Sequence, residues 1–97
     1  MILGFIGTGK ISSSIIYGIF NSKLKVKRIY ISSRNRNIAK KLTKKFRQVK
    51  ILTDNQEIIN KSSTVILGIT PNVGNKILSK LKFLKNKKII SLISTIN

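Results

Sequence analysis

Cysteine and histidine are both missing from this 97-residue chain, and the two absences close most routes to self-contained chemistry. Without cysteine there is no disulfide framework, no thiolate metal site and no sulfur nucleophile. Without histidine the commonest general base and the commonest metal ligand are gone. Acid is nearly missing as well. Asp54 and Glu57 are the only carboxylates, which argues against a hydrolase built on paired carboxylates. Any chemistry must therefore come from a bound cofactor or a second chain. No window reaches the roughly 18 consecutive apolar residues of a membrane span. The apolar N-terminus lacks a basic region and a cleavage site, so no signal peptide is read and a cytoplasmic location is expected. Internal repeats, low-complexity tails and linkers are also lacking, and the length suits one small domain spanning 1–97.

What the chain does have is positive charge. Twenty lysines and arginines against two acids give a net charge of +18. Two explanations stand side by side. Isoleucine supplies 19 residues, lysine 16 and asparagine 9, and all three have AT-rich codons, so compositional drift accounts for the lysines without a functional demand. The sharper explanation is contact with a polyanion, either nucleic acid or an anionic membrane surface. Under either, self-repulsion costs stability at low salt.

Apolar runs and helical patterns alternate from end to end. Ile2, Leu3, Phe5 and Ile6 read as a buried strand stopped by Gly7 and Gly9. A helix follows with Ile11, Ile15 and Ile19 on one stripe and Ile16 and Phe20 beside it. Arg28 to Ile31 is a second strand, and Ser33 or Asn35 can cap the next helix, whose seam is Ile38, Leu42 and Phe46. Its other face carries Lys40, Lys41, Lys44 and Lys45, like-charged pairs expected in solvent. Val49 to Leu52 is a third strand, and Asp54 to Glu57 resembles a capping box opening a short helix. Thr64 to Ile69 has the continuous apolar run of a strand covered on both faces. Pro71 follows, then helical spacing through Val73, Ile77, Leu78, Leu81 and Leu84, and a last strand from Lys88 to Ile93. The order βαβαβαβαβ implies an α/β fold: a doubly wound, five-stranded parallel Rossmann-type sheet of order 3-2-1-4-5 with helices on both faces. Ligands of such sheets sit at the carboxyl ends of the strands.

Gly7-Thr8-Gly9-Lys10-Ile11-Ser12 lies at the first of those ends and fits G-x-G-x-x-small. The first glycine permits the tight turn, the second lets backbone approach a pyrophosphate, and the small residue allows close packing of helix on strand. The helix N-terminus adds free N–H groups and a positive dipole end. Gly4 with Gly9-Lys10 is a near miss for a P-loop, but Ile11 stands where Ser or Thr must hold magnesium. A glycine turn without a ligand is the plain structural alternative. An NAD-preferring site places an acid about 20 residues past the loop. Here the stretch is Ser32-Ser33-Arg34-Asn35-Arg36, without an acid. Hydroxyls and a guanidinium suit a 2′-phosphate, which argues for NADP(H) in preference to NAD(H). No metal site is expected.

Taken together, Gly4-Phe-Ile-Gly-Thr-Gly-Lys-Ile, Ile16 and Gly18, Ile31-Ser-Ser-Arg, Thr53-Asp-Asn, Val65-Ile-Leu-Gly-Ile-Thr-Pro and Ile89-Ile-Ser-Leu resemble the cofactor-binding half of pyrroline-5-carboxylate reductases. The resemblance runs over essentially the whole chain. It implies hydride transfer from NAD(P)H to the C=N bond of 1-pyrroline-5-carboxylate, giving proline. By matching positions it places Ile6, Gly7, Thr8, Gly9, Lys10 and Ile11 at the pyrophosphate, and Ser33 and Arg34 at the adenine ribose phosphate. Asn55 would lie near the cofactor, Gly68, Ile69, Thr70 and Pro71 on the nicotinamide-ribose side, and Leu92, Ile93 and Ser94 beside the nicotinamide. No residue of the chain is assigned a catalytic role. Thr70 departs from the family's lysine before proline, and Ile93, Ser94 and Thr95 from its Ala-Ala-Gly. The family's helical C-terminal domain, for dimerisation and substrate, would begin where this sequence stops. The reading is therefore a cofactor domain that needs a substrate domain in trans. A second reading, from a different class, is a degenerate, non-catalytic nucleotide- or nucleic-acid-binding module that retains the fold. The six aromatics form no binding strand, and Tyr17 and Tyr30 are expected to be partly buried.

Overall fold

The computed structural model of the chain describes residues 1–7, 10–33, 36–68 and 88–91. Its elements are β1 (Ile2–Ile6), α1 (Lys10–Phe20), β2 (Arg28–Ser32), α2 (Arg36–Lys45), β3 (Val49–Leu52), α3 (Asn55–Lys61), β4 (Thr64–Leu67) and β5 (Lys88–Ser91). All neighbouring strands pair in parallel, in the order β3-β2-β1-β4-β5. The 3-2-1-4 arrangement about a central β1 is the one expected from the alternation of elements. β5 adds to the outer side of β4 from Thr64↔Lys88 to Leu67↔Ser91. The helix expected from Val73 to Leu84 lies outside the described residues.

The central strands β1 and β4 are largely apolar on both faces because both faces are covered. Leu3, Phe5, Ile29, Ile31, Val49 and Ile66 turn to one side and pack with Ile16 of α1 and Ala39 and Leu42 of α2. Ile6, Val65 and Leu67 turn to the other and pack with Ile58 and Ile59 of α3, with Tyr30 and Leu52 at the margin. Phe46 lies just past α2, yet its N–H still donates to the Leu42 carbonyl at 2.9 Å. Its ring stacks on Phe20 at 4.2 Å and meets Tyr17 edge-on at 5.2 Å, joining α2 to α1. Gly4, in the middle of β1, is where α3 comes closest. A Cβ there would run into Ile58 and Ser62.

Four local expectations change. The buried line of α1 is Ser12–Ile16, and Ile15 and Ile19 lie at its margin. A polar residue takes the innermost position because its hydroxyl is satisfied by the Gly7 carbonyl. β2 runs one residue further than expected, through Ser32. β4 ends at Leu67 because its partner β1 ends at Ile6. Beyond that, the Gly68 N–H makes one more ladder bond, to the Ile6 carbonyl at 2.9 Å, and Ile69 lies outside the described residues. At α3, Asp54 is the N-cap, accepting from the Gln56 N–H at 3.0 Å. The return half of the capping box is replaced by an ion pair, since the Glu57 carboxylate turns to Lys61 at 3.4 Å.

Candidate functional site: the carboxyl end of β1

Where β1 ends, Gly7 turns the chain out of the sheet with φ 88°. That conformation is open to glycine and strained for other residues, so the first glycine of the motif is fixed by backbone geometry. Two serines lock the turn. The Gly7 N–H donates to the Ser32 hydroxyl, 3.0 Å away at the carboxyl end of β2. The Ser12 hydroxyl, in the first turn of α1, donates to the Gly7 carbonyl at 2.9 Å. Both bonds are buried, and buried polar groups without partners are costly, so each serine holds its bond tightly.

Gly68, at the carboxyl end of β4, closes the same point from the other side. A Cβ at this position would overlap the Ser12 hydroxyl and stand 3.2 Å from the Gly7 carbonyl oxygen. Three strand ends and one helix start thus converge on atoms with almost no side chain between them. The helix start is α1, which has no acid in its first turn. Its first N–H groups have no partner within the helix, and its dipole presents a partial positive charge. Helix starts of this kind can accept an anion such as a phosphate.

The expected site residues divide cleanly. Ile6 and Gly7 lie buried at the end of β1, and Lys10 and Ile11 open α1. Ser33 is half-buried at the end of β2, Asn55 is the first residue of α3, and Gly68 forms the floor just described. All of these stand on the carboxyl side of the sheet. Thr8, Gly9, Arg34, Ile69, Thr70, Pro71, Leu92, Ile93 and Ser94 lie outside the described residues. The structure adds Ser32, whose role depends on a bond spanning 25 positions. Its only signal in the sequence is a hydroxyl at a strand end. Gly4 is fixed inside β1, paired with Tyr30 and Val65, so it cannot open a P-loop. Among the described residues no group of His, Cys, Asp or Glu could hold a metal ion, and no helix is long and apolar enough to cross a membrane.

Tyr17 and Tyr30 are both half-buried, as expected. Each carries a lysine on its ring. Lys45 Nζ is 5.1 Å from the Tyr17 centroid, and Lys61 Nζ is 5.8 Å from that of Tyr30.

No curated protein matches the chain. Among solved structures, the chain is similar to 1-pyrroline-5-carboxylate reductase from the human pathogen Streptococcus pyogenes, with 31% identity and a TM-score of 0.79. The match covers 100% of this chain and 35% of that one, so the chain spans about a third of the reductase. The family described as NADP oxidoreductase, coenzyme F420-dependent, matches residues 2–95. With a glycine turn built for backbone contact, a matching fold and a family match over nearly its whole length, this chain belongs to that NAD(P)-binding oxidoreductase family and is pyrroline-5-carboxylate reductase-like.

Proposed function

We propose that the chain binds NADP(H) in preference to NAD(H), as the cofactor domain of a cytoplasmic oxidoreductase that acts on the C=N bond of 1-pyrroline-5-carboxylate in proline biosynthesis. The observation that carries this reading is the turn at Gly7. Its positive φ and the two serine bonds fix a backbone turn at the start of α1, and Gly68 packs against that turn with no room for a Cβ. A turn of this kind suits a pyrophosphate, which needs close backbone approach.

When bound, the cofactor supplies the hydride. The chain's own residues bind and orient it. Ile6 to Ile11 would hold the pyrophosphate, and Ser33 with Arg34 the 2′-phosphate. Asn55 would stand beside the cofactor, Gly68 to Pro71 along the nicotinamide ribose, and Leu92 to Ser94 beside the nicotinamide ring. The preference for NADP(H) rests on the run from Ser32 to Arg36, which has hydroxyls and guanidinium groups and no acid. Groups that orient the imine lie outside these 97 residues, on a further domain or another chain. The 35% share of the Streptococcus pyogenes reductase supports that division.

Gly9→Val tests the reading. The branched side chain would stand where backbone must approach the pyrophosphate, and NADPH binding is expected to disappear. A folded variant that binds NADPH as tightly as the native chain contradicts the placement of the pyrophosphate at this turn.

A further inference from the structure

The carboxyl end of the sheet leaves most of the +18 charge unused. At the opposite end, five of the described residues line an open depression of about 470 Å³: Lys27, Arg28, Arg47, Gln48 and Lys50. They come from two distant stretches of sequence. Lys27 and Arg28 lead into β2, Arg47 and Gln48 form the turn before β3, and Lys50 is on β3 itself. The parallel register brings them together, pairing Ile29 with Val49 and Tyr30 with Lys50, and the Ile29 N–H donates to the Gln48 carbonyl at 3.0 Å.

Four cations and one amide share this concavity without an acid. The chain's two carboxylates are committed elsewhere: Asp54 caps α3, and Glu57 is paired with Lys61. Two of the four arginines in the whole chain are here, and arginine carries a planar fork that matches phosphate oxygens. Compositional drift toward lysine explains a basic surface spread evenly. It does not explain four cations gathered in one concavity with no acid among them.

We propose that this depression is a second anion site, which takes a contiguous run of phosphates such as the backbone of a single-stranded nucleic acid or a small polyphosphate. Among the described residues no aromatic side chain lines it, so stacking of bases and reading of sequence are not expected. Helices of this fold end at the amino side of the sheet, and their C-terminal dipoles disfavour anions. Attraction therefore comes from side chains alone, and binding falls steeply with salt.

The test uses a fluorescein-labelled 20-nucleotide oligothymidylate, inorganic tripolyphosphate and phosphatidylglycerol vesicles. Two variants of the chain carry the same charge loss: K27Q/R28Q/R47Q/K50Q at the depression and K40Q/K41Q/K44Q/K45Q on α2. At about 0.1 M salt the first is expected to lose on the order of a hundredfold in oligonucleotide affinity, with a salt slope flatter by about 2 to 3. The second is expected to lose less than about threefold, since exposed charges away from the site act through a screened field. NADPH affinity of the first stays at the native value, which separates this site from the cofactor end. Tight oligonucleotide binding assigns the phosphates to nucleic acid. Tight tripolyphosphate binding that displaces the oligonucleotide assigns them to a small polyphosphate. Equal losses in the two variants overturn the proposal, as does binding to vesicles without binding to either phosphate probe, or binding to none of the three. If the quadruple variant at the depression fails to fold, K27Q/R47Q replaces it. Both of these positions are exposed and outside the strands, and a loss of about tenfold is expected from two contacts.

Discussion

At the carboxyl end of the strands, the converging groups are backbone atoms and small hydroxyls: Gly7, Gly68, Ser12 and Ser32. At the amino end they are long cationic side chains: Lys27, Arg28, Arg47 and Lys50. The first end holds its shape through buried hydrogen bonds and tolerates almost no added volume. The second is open, carries like charges side by side and depends on no single bond. On the functions proposed for them, the two ends would meet an anion in two different ways. One is preorganised and stereospecific, as a cofactor site must be. The other is a concentration of charge that salt weakens.

Substitutions can break this contrast in order of severity. Gly68→Val should have the largest effect, because its side chain overlaps the Ser12 hydroxyl and crowds the Gly7 carbonyl. A loss of about 3 kcal/mol in urea unfolding is expected, together with loss of NADPH binding. Arg34→Ala comes next. If Arg34 binds the 2′-phosphate, NADPH binding weakens by about 2 kcal/mol and NADH binding hardly changes. Equal losses in parallel titrations would remove Arg34 from that role. Ser32→Ala leaves the buried Gly7 N–H without its hydroxyl partner. A cost of about 1–2 kcal/mol in stability is expected, checked by thermal unfolding. At the amino end the sign reverses. Arg47→Gln removes one repelling charge from the depression and should raise stability by about 0.3 kcal/mol at low salt. The gain should vanish as salt is added, and a loss there would mean that the cations already have partners.

The same contrast decides what could be read from the sequence. Sites built of backbone are written as glycines and small residues at fixed spacing. The turn at Gly7, the small Ser12 and the strand-helix alternation were therefore visible in the order of residues. Sites built by register are not written anywhere locally. Ser32 reaches Gly7 only because β2 lies beside β1, with Phe5 opposite Ile31. Arg28 and Arg47 share a depression only because β3 lies beside β2. The stripe on α1 was misplaced for a related reason. Hydrophobicity pointed to Ile15 and Ile19, while close approach to Gly7 and Gly68 drew the small Ser12 inward and put Ile16 beneath it. β4 is shorter than its apolar run because the length of a parallel strand is set by its neighbour as well as by its own residues.

The most direct test of the central claim is calorimetric titration of the native chain with NADPH and then NADH at moderate salt. Saturable NADPH binding at one site per chain, with NADH at least about tenfold weaker, is the predicted result, since each tenfold corresponds to about 1.4 kcal/mol. A folded chain that binds neither nucleotide would contradict the account and leave the glycine turn as architecture without a ligand.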